Sequence, residues 1–270
     1  MKFVNTPVIK YGEIYVKRED LCLKAEKDDL EIPGLAKLRG AWELLSSLKE
    51  QGYKNIGIFD TRVSKAGWGI ACICKQLELT CYCYFPLLKG SPLAKQQIMS
   101  AGWGGKLRIL KGGRTAVLYS QAKKDFSKIE KGYFLPLGLV CKETVLSVAE
   151  VSSKISKYGT IVVSTGTGTI MAGILAGITQ DNMPQQVIGV SCGMNLVKQK
   201  KRMLELLKEV KQEDKQDLMR LEMADREYYQ PDNIKTPFPS HPYYDKKAWH
   251  WLLRNEHSLV KPILFWNIGR

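Results

Sequence analysis

Short runs of Val, Ile, Leu, Tyr and Phe recur along this chain, each closed by a polar or glycine-containing segment and followed by a longer stretch of helical periodicity. The runs predict strands at Val8–Lys10, Ile14–Lys17, Asn55–Phe59, Thr80–Phe85, Lys106–Ile109, Thr160–Ser164, Val187–Val190 and Ile263–Trp266. The periodic stretches predict helices at Leu35–Glu50, Gly69–Leu79, Pro92–Ala101, Thr115–Ile129, Lys142–Lys157, Thr169–Ile178, Leu196–Val210 and Tyr244–Arg254. Such alternation is the mark of an α/β architecture with mostly parallel sheets. Residues 55–109 hold a strand-helix-strand-helix-strand unit of their own, as an inserted domain would. Residues 212–240, polar and punctuated by proline, read as an irregular connection.

Composition narrows the class. With 270 residues, 44% of them hydrophobic and 25% charged, the chain has material for a buried core and is neither disordered nor collagenous. No apolar run is long enough to cross a bilayer, and the N-terminal segment lacks the apolar stretch of a secretion signal, so no membrane partner and a cytoplasmic location are expected. Forty-one basic residues against 27 acidic ones give a net charge of +14, densest at Lys198-Gln199-Lys200-Lys201-Arg202. That field attracts anions such as nucleic acid or a phosphorylated cofactor; the plainer reading is a lysine-rich solvated surface, since no long block of consecutive bases occurs.

The seven cysteines, at 22, 72, 74, 81, 83, 141 and 192, are an odd number and read as reduced thiols. Cys72 and Cys74 fall on a helix, where side chains two apart diverge by about 200°, and Cys81 and Cys83 fall on one face of a strand. Neither spacing is that of a loop-borne zinc site, so core thiols are expected. His241, His250 and His257 form no H-x-x-x-H or cysteine–histidine pattern, and no metal is expected. Trp249, Trp251 and Trp266 are expected in the core.

Two segments carry chemistry. In the first, the strand ending at Ser164-Thr165 runs into Gly166-Thr167-Gly168-Thr169 and then into a helix with small residues on one face. Glycines let backbone amides approach a phosphate, hydroxyls add donors and the helix N-terminus adds positive potential. It matches neither a Walker A loop nor the G-x-G-x-x-G fingerprint, and a tight strand–helix connection is the alternative. In the second, Gly34-Leu35-Ala36-Lys37-Leu38-Arg39-Gly40 puts Lys37 at the start of a helix beside Arg39. There the ammonium form is disfavoured, and an amine that loses its proton readily can form a Schiff base.

These segments resemble, in order, the motifs of the fold type II, tryptophan-synthase-β-like pyridoxal-phosphate enzymes, nearest the 1-aminocyclopropane-1-carboxylate deaminase and D-cysteine desulfhydrase branch. Thr6-Pro7 with Ile14-Tyr15-Val16-Lys17-Arg18-Glu19-Asp20-Leu21 resembles "TP…LYVKREDL", and Gly34–Arg39 resembles "GGNKxRK". Gly166–Thr169 is similar to the family's glycine loop, Val187–Ser191 to the strand after it, Pro242–Ala248 to "DPVYTGKA", and Pro262–Gly269 to "ILFxHTGG". The resemblance implies two three-layer α/β/α domains with mostly parallel sheets: a large cofactor-binding domain of residues 1–50 plus 141–270 and a small inserted domain of residues 51–140.

It also implies roles. Lys37 would hold pyridoxal 5'-phosphate and move protons at the substrate α-carbon, with Ser164, Thr165, Gly166, Thr167, Gly168 and Thr169 about the 5′-phosphate. Ser64 stands at the serine of "QSNH" and Tyr244 at the tyrosine of "VYTGKA", both facing substrate. Lys65 replaces the asparagine that contacts the cofactor ring, and Asn267-Ile268-Gly269 replaces "HTGG", leaving Asn267 as the polar group for the ring and Ile268 at the hydroxyl position. The implied activity is that of a lyase at the α-carbon of an amino acid or amino-acid-like group, by elimination, deamination or decarboxylation, in a homodimer. The charge and the altered loops would also suit an amino acid carried on a base of DNA, as in viral DNA hypermodification. A homologue that binds cofactor or nucleic acid without catalysis is the alternative.

Overall fold

The computed structural model describes residues 2–24, 31–88 and 90–269. Its strands are β1 (Lys2–Phe3), β2 (Val8–Tyr11), β3 (Ile14–Arg18), β4 (Leu23–Lys24), β5 (Asn55–Phe59), β6 (Thr80–Pro86), β7 (Lys106–Leu110), β8 (Gly132–Phe134), β9 (Thr160–Thr165), β10 (Gln186–Ser191), β11 (Met219–Met223) and β12 (Ile263–Asn267). Its helices are α1 (Leu38–Glu50), α2 (Ala66–Gln76), α3 (Lys95–Gly102), α4 (Thr115–Phe126), α5 (Lys142–Ser152), α6 (Thr169–Ala176), α7 (Leu196–Glu209) and α8 (Asp245–Asn255). The chain forms two compact units, one of residues 3–23, 34–40 and 141–270, the other of residues 1–2, 24–33 and 41–140.

The larger unit is built on a six-stranded sheet, ordered β11-β10-β9-β12-β3-β2. All neighbours are parallel except β2 and β3, which run antiparallel at one edge. β9 is buried along its whole length, as a central strand covered on both faces must be, hence its unbroken run Thr-Ile-Val-Val-Ser-Thr. One face of the sheet packs Val162, Ile188, Val190 and Phe265 against Ala248, Trp249 and Leu252 of α8. On the opposite face Gly189 lies against Met171 of α6, so helices cover both sides, as period-two alternation requires. Trp249, Trp251 and Trp266 are buried.

The smaller unit carries the parallel sheet β7-β6-β5-β8. Tyr82 and Tyr84 of β6 face α4, meeting Phe126 and Phe134, whereas Cys83, one residue out of phase, bonds to Gly67 of α2. Cys81 and Cys83 share that face with their sulfurs 3.4 Å apart. A hydrogen bond with Cys74 pushes the Cys81 thiol up and one with Cys81 pushes that of Cys83 up, with burial added in each. Burial leads in pushing those of Cys22 and Cys192 up to about 12. Among the described residues no group of three His, Cys, Asp or Glu is arranged to hold a metal, and no helix is long and apolar enough to cross a membrane.

Two expectations need correction. Residues 212–240 are not wholly irregular: β11 lies there as the edge strand of the larger sheet, parallel to β10. The helix expected from Leu35 starts at Leu38, because Leu35 pairs with Gly269 and the Ala36 amide donates to the Ile268 carbonyl, 3.0 Å away. A tertiary pairing has displaced the first helical turn.

Candidate active site

At the end of β9, in the middle of the larger sheet, the chain turns through Gly166, Thr167 and Gly168 before α6 begins at Thr169. Gly168 is left-handed, with φ of 86°, and a Cβ there would stand 2.5 Å from Met203 Cγ, so only glycine fits. Among the described residues the amides of Gly166 to Thr169 donate to no protein acceptor, leaving a row of donors at a helix N-terminus. The Thr167 and Thr169 hydroxyls lie 3.0 Å apart on the same turn. The two residues before it are spoken for. The Ser164 hydroxyl donates to Asp245 Oδ1 at 2.9 Å, and the Thr165 hydroxyl faces Gln199 Oε1 at 3.5 Å.

Lys37 reaches this turn. Its Nζ donates to Thr167 Oγ1 at 3.1 Å although 130 residues separate the two in sequence. The segment that bears it is fixed on both sides. Gly34 packs so closely on Asp20 that a Cβ would stand 2.0 Å from the Asp20 carbonyl oxygen, and the next two residues pair with the end of β12. Asp20 is buried in turn, bonded to Arg18 through both carboxylate oxygens, and it accepts from Asn267 Nδ2 at 2.8 Å. Asn267 also donates to the Pro239 carbonyl, while its own Oδ1 is buried with no hydrogen-bond partner among the described residues. That leaves one buried acceptor to be satisfied.

A third contribution comes from the start of α8. The Tyr244 ring lies beside Gly166, where a Cβ would be 3.4 Å from its Cε1, and its hydroxyl is 2.6 Å from that of Tyr228. Lys247, one turn on and buried, donates to the carbonyls of Glu227 and Tyr228 at 2.5 and 3.2 Å, tying down the segment that presents Tyr228. Burial lowers the Lys247 pKa. Asp245 is the hub: besides Ser164 it accepts from the amides of Ile268 and Gly269, at 3.1 and 3.3 Å. Desolvation in that buried position pushes its carboxyl up to about 7, against the pull of those three donors.

The larger unit therefore gathers Lys37, the glycine turn, Tyr244, Ser164 and Asn267 around the ends of β9 and β12. Ser64 and Lys65 belong to the smaller unit. There the turn after β5 leads into α2, and Asp60 occupies the helix start: its Oδ2 accepts from the Gly67 amide at 2.6 Å and its Oδ1 from the Thr61 amide at 2.8 Å. Ser64 Oγ accepts from the Ala66 amide at 3.2 Å, and the Lys65 ammonium lies 5.8 Å from the centre of the Trp68 ring. Gln199, Asp245 and Tyr228 went unmarked in the sequence reading. Gln199 is hidden in a basic run, Asp245 looks like an ordinary helix-start acid, and Tyr228 lies in the segment read as irregular.

A turn of undonated amides, two hydroxyls and a primary amine within hydrogen-bond reach of one of them suits a phosphorylated aldehyde, with the amine for the aldehyde and the turn for the phosphate. The sequence profile of the family described as "Pyridoxal-phosphate dependent enzyme" matches residues 2–229. The chain belongs to that family.

A curated relative from Pseudomonas phage M6, named glycyl-dTMP PLP-dependent decarboxylase, is 32% identical over 284 residues, covering 98% of each chain. Solved structures share the fold at low identity. An ACC deaminase homologue superimposes with a TM-score of 0.77 at 18% identity, over 95% of this chain and 84% of that one. The processed form of threonine deaminase isoform 2 from Solanum lycopersicum gives 0.69 at 15%, over 99% and 84%. Diaminopropionate ammonia lyase from Escherichia coli in its apo form gives 0.64 at 14%, over 95% and 77%. The expected fold type II architecture and the pyridoxal phosphate cofactor thus hold, and this member of the pyridoxal-phosphate family is an enzyme of the lyase type.

Proposed function

We propose that this enzyme removes the carboxyl group, as CO2, from a glycyl group carried on a thymidine nucleotide, free or within DNA. The observation that carries the reading is the match to the phage glycyl-dTMP decarboxylase across 98% of both chains. The net charge of +14 supports an anionic, nucleotide-borne substrate.

Pyridoxal phosphate supplies an electron sink for the pair released when a bond at an amino-acid α-carbon breaks. The remaining work falls to the protein. Gly166 to Thr169 would hold the 5′-phosphate with their amides and the Thr167 and Thr169 hydroxyls, while Ser164 and Thr165 fix where the turn begins. Lys37 would provide the amine that holds the aldehyde, and its Nζ, within hydrogen-bond reach of Thr167 on the turn, would serve as a base there. Asn267 would offer its Oδ1, without a partner among the described residues, to the ring. The Tyr244 hydroxyl, shared with Tyr228, holds a proton close to Gly166. Loss of CO2 leaves an electron pair on the α-carbon that one proton must fill, and Lys37 and Tyr244 are the two donors we assign to it. For Ser64 and Lys65 the proposal is a hydroxyl and a cation that bind anionic groups of the substrate.

The same proposal takes residues 1–50 plus 141–270 as the cofactor-binding domain and 51–140 as the inserted one, in a cytoplasmic homodimer. The test is to incubate the cofactor-loaded enzyme with glycyl-dTMP, as nucleotide and within an oligodeoxynucleotide, and to follow the product by mass spectrometry. A product lighter by CO2, gaining one deuteron from heavy water, is expected. An unchanged substrate in both forms, with the cofactor bound, overturns the reading.

A further inference from the structure

The glycine turn has carbonyls as well as amides, and a turn whose carbonyls face inward repels phosphate. What decides its polarity lies outside it, on α7. Gln199 is completely buried. Its Nε2 donates to the Gly166 carbonyl at 2.6 Å and to the Thr165 carbonyl at 3.2 Å, and its Oε1 faces the Thr165 hydroxyl. The Thr165 carbonyl is further occupied by the Cys192 amide at 3.1 Å. In a planar trans peptide the N–H points opposite to the C=O of the same unit. Holding the Thr165 and Gly166 carbonyls toward α7 therefore aims the amides of Gly166 and Thr167 the other way, and neither amide donates to a protein acceptor among the described residues.

One turn further along the same face of α7, Met203 packs under Gly168 and is also completely buried. A buried primary amide is costly unless its donors and acceptor are used. Here the two carbonyls it serves are that of Gly166 in the turn and that of Thr165 just before it, which is more than helix packing alone requires.

We propose that Gln199 is a positioning residue for cofactor binding, which sets the polarity of the glycine turn so that the amides of Gly166 and Thr167 meet the phosphate. This rests on the reading of Gly166–Thr169 as the phosphate site, and it places the determinant of phosphate affinity on a helix that the phosphate does not touch.

The test compares the parent with Gln199→Glu, which keeps the shape but sets a carboxylate against two carbonyls, and Gln199→Met, which removes the polar group. Affinities for pyridoxal phosphate and for pyridoxal, which lacks the phosphate, are measured by fluorescence quenching, and thermal unfolding is measured with and without inorganic phosphate. Expected is a 10- to 100-fold (about two hydrogen bonds' worth) loss of affinity for pyridoxal phosphate. The affinity for pyridoxal should stay within about threefold, and the stabilisation by inorganic phosphate should be lost. Should Gln199→Glu fail to fold, Gln199→Met carries the comparison. A folded variant that keeps the parent affinity for pyridoxal phosphate, or that loses pyridoxal equally, overturns the assignment of Gln199. A parent that binds pyridoxal as tightly as pyridoxal phosphate overturns the phosphate site itself.

Discussion

Each sheet delivers a central parallel strand into a helix, and the two turns differ in what fills the helix start. After β5 the protein supplies its own anion. Asp60 takes the Thr61 and Gly67 amides, and Ser64 takes that of Ala66. After β9, among the described residues, no side chain caps α6 and the amides of Gly166 to Thr169 find no acceptor, while the carbonyls of Thr165 and Gly166 are drawn off by Gln199. Both turns offer the positive end of a helix, but the first already holds a carboxylate of the protein. Helix dipole and strand–helix geometry are thus necessary for an anion site and not sufficient.

The comparison can be broken in several places. The largest effect is expected at Lys37, the amine that reaches the open turn. Lys37→Ala should lower the decarboxylation rate by about 10²- to 10⁴-fold or more while leaving the phosphate's contribution to cofactor affinity intact, as read from the pyridoxal and pyridoxal phosphate affinities of that variant.

Next is the hub behind the open turn. Burial holds the Asp245 carboxyl at about 7, against 3.8 for an ordinary aspartate. Between those values the folded protein keeps a proton that the unfolded chain has released. This group's contribution is therefore most favourable below about pH 4, declines as pH rises toward 7 and is flat beyond, a total of about 4 kcal/mol at most. Asp245→Asn should flatten that part of the stability–pH curve in denaturant titrations; an unchanged slope would assign it to other groups.

A smaller loss is expected at Gly168, where alanine meets both a positive φ and Met203. Gly168→Ala should cost about 1–3 kcal/mol of stability and weaken cofactor binding, both measurable by thermal unfolding with and without pyridoxal phosphate. The smallest effect sharpens the contrast. Asp60→Asn removes the resident anion from the closed turn, and should cost about 1 kcal/mol in denaturant unfolding. The variant should also be stabilised by sulfate more than its parent is.

Much of this contrast was legible in the sequence. The Gly166–Thr169 turn stood out because the apolar run Ile161–Val163 of a strand leads into a stretch of small residues, and a turn that approaches a ligand must be small. Lys37 was marked by its place before a helix and by the motif around it. Gln199 was not legible, since between Lys198 and Lys200 its composition signals a solvated face; only the three-dimensional register of α7 shows that this position is buried. Asp60 and Asp245 were passed over for a similar reason: an acid near a helix start is ordinary, and what distinguishes these two is burial and the amides they collect, local ones for Asp60 and those of Ile268 and Gly269 for Asp245. β11 was missed because an edge strand such as Met-Arg-Leu-Glu-Met alternates apolar and charged residues and borrows its order from β10.

The central claim is that the Lys37 amine and the glycine turn hold one cofactor between them. Reducing the pyridoxal-phosphate-loaded enzyme with borohydride and mapping the labelled peptide by mass spectrometry tests it directly. The account predicts a single phosphopyridoxyl group on Lys37, its incorporation suppressed by excess inorganic phosphate. A label on another lysine, or one indifferent to phosphate, would contradict it.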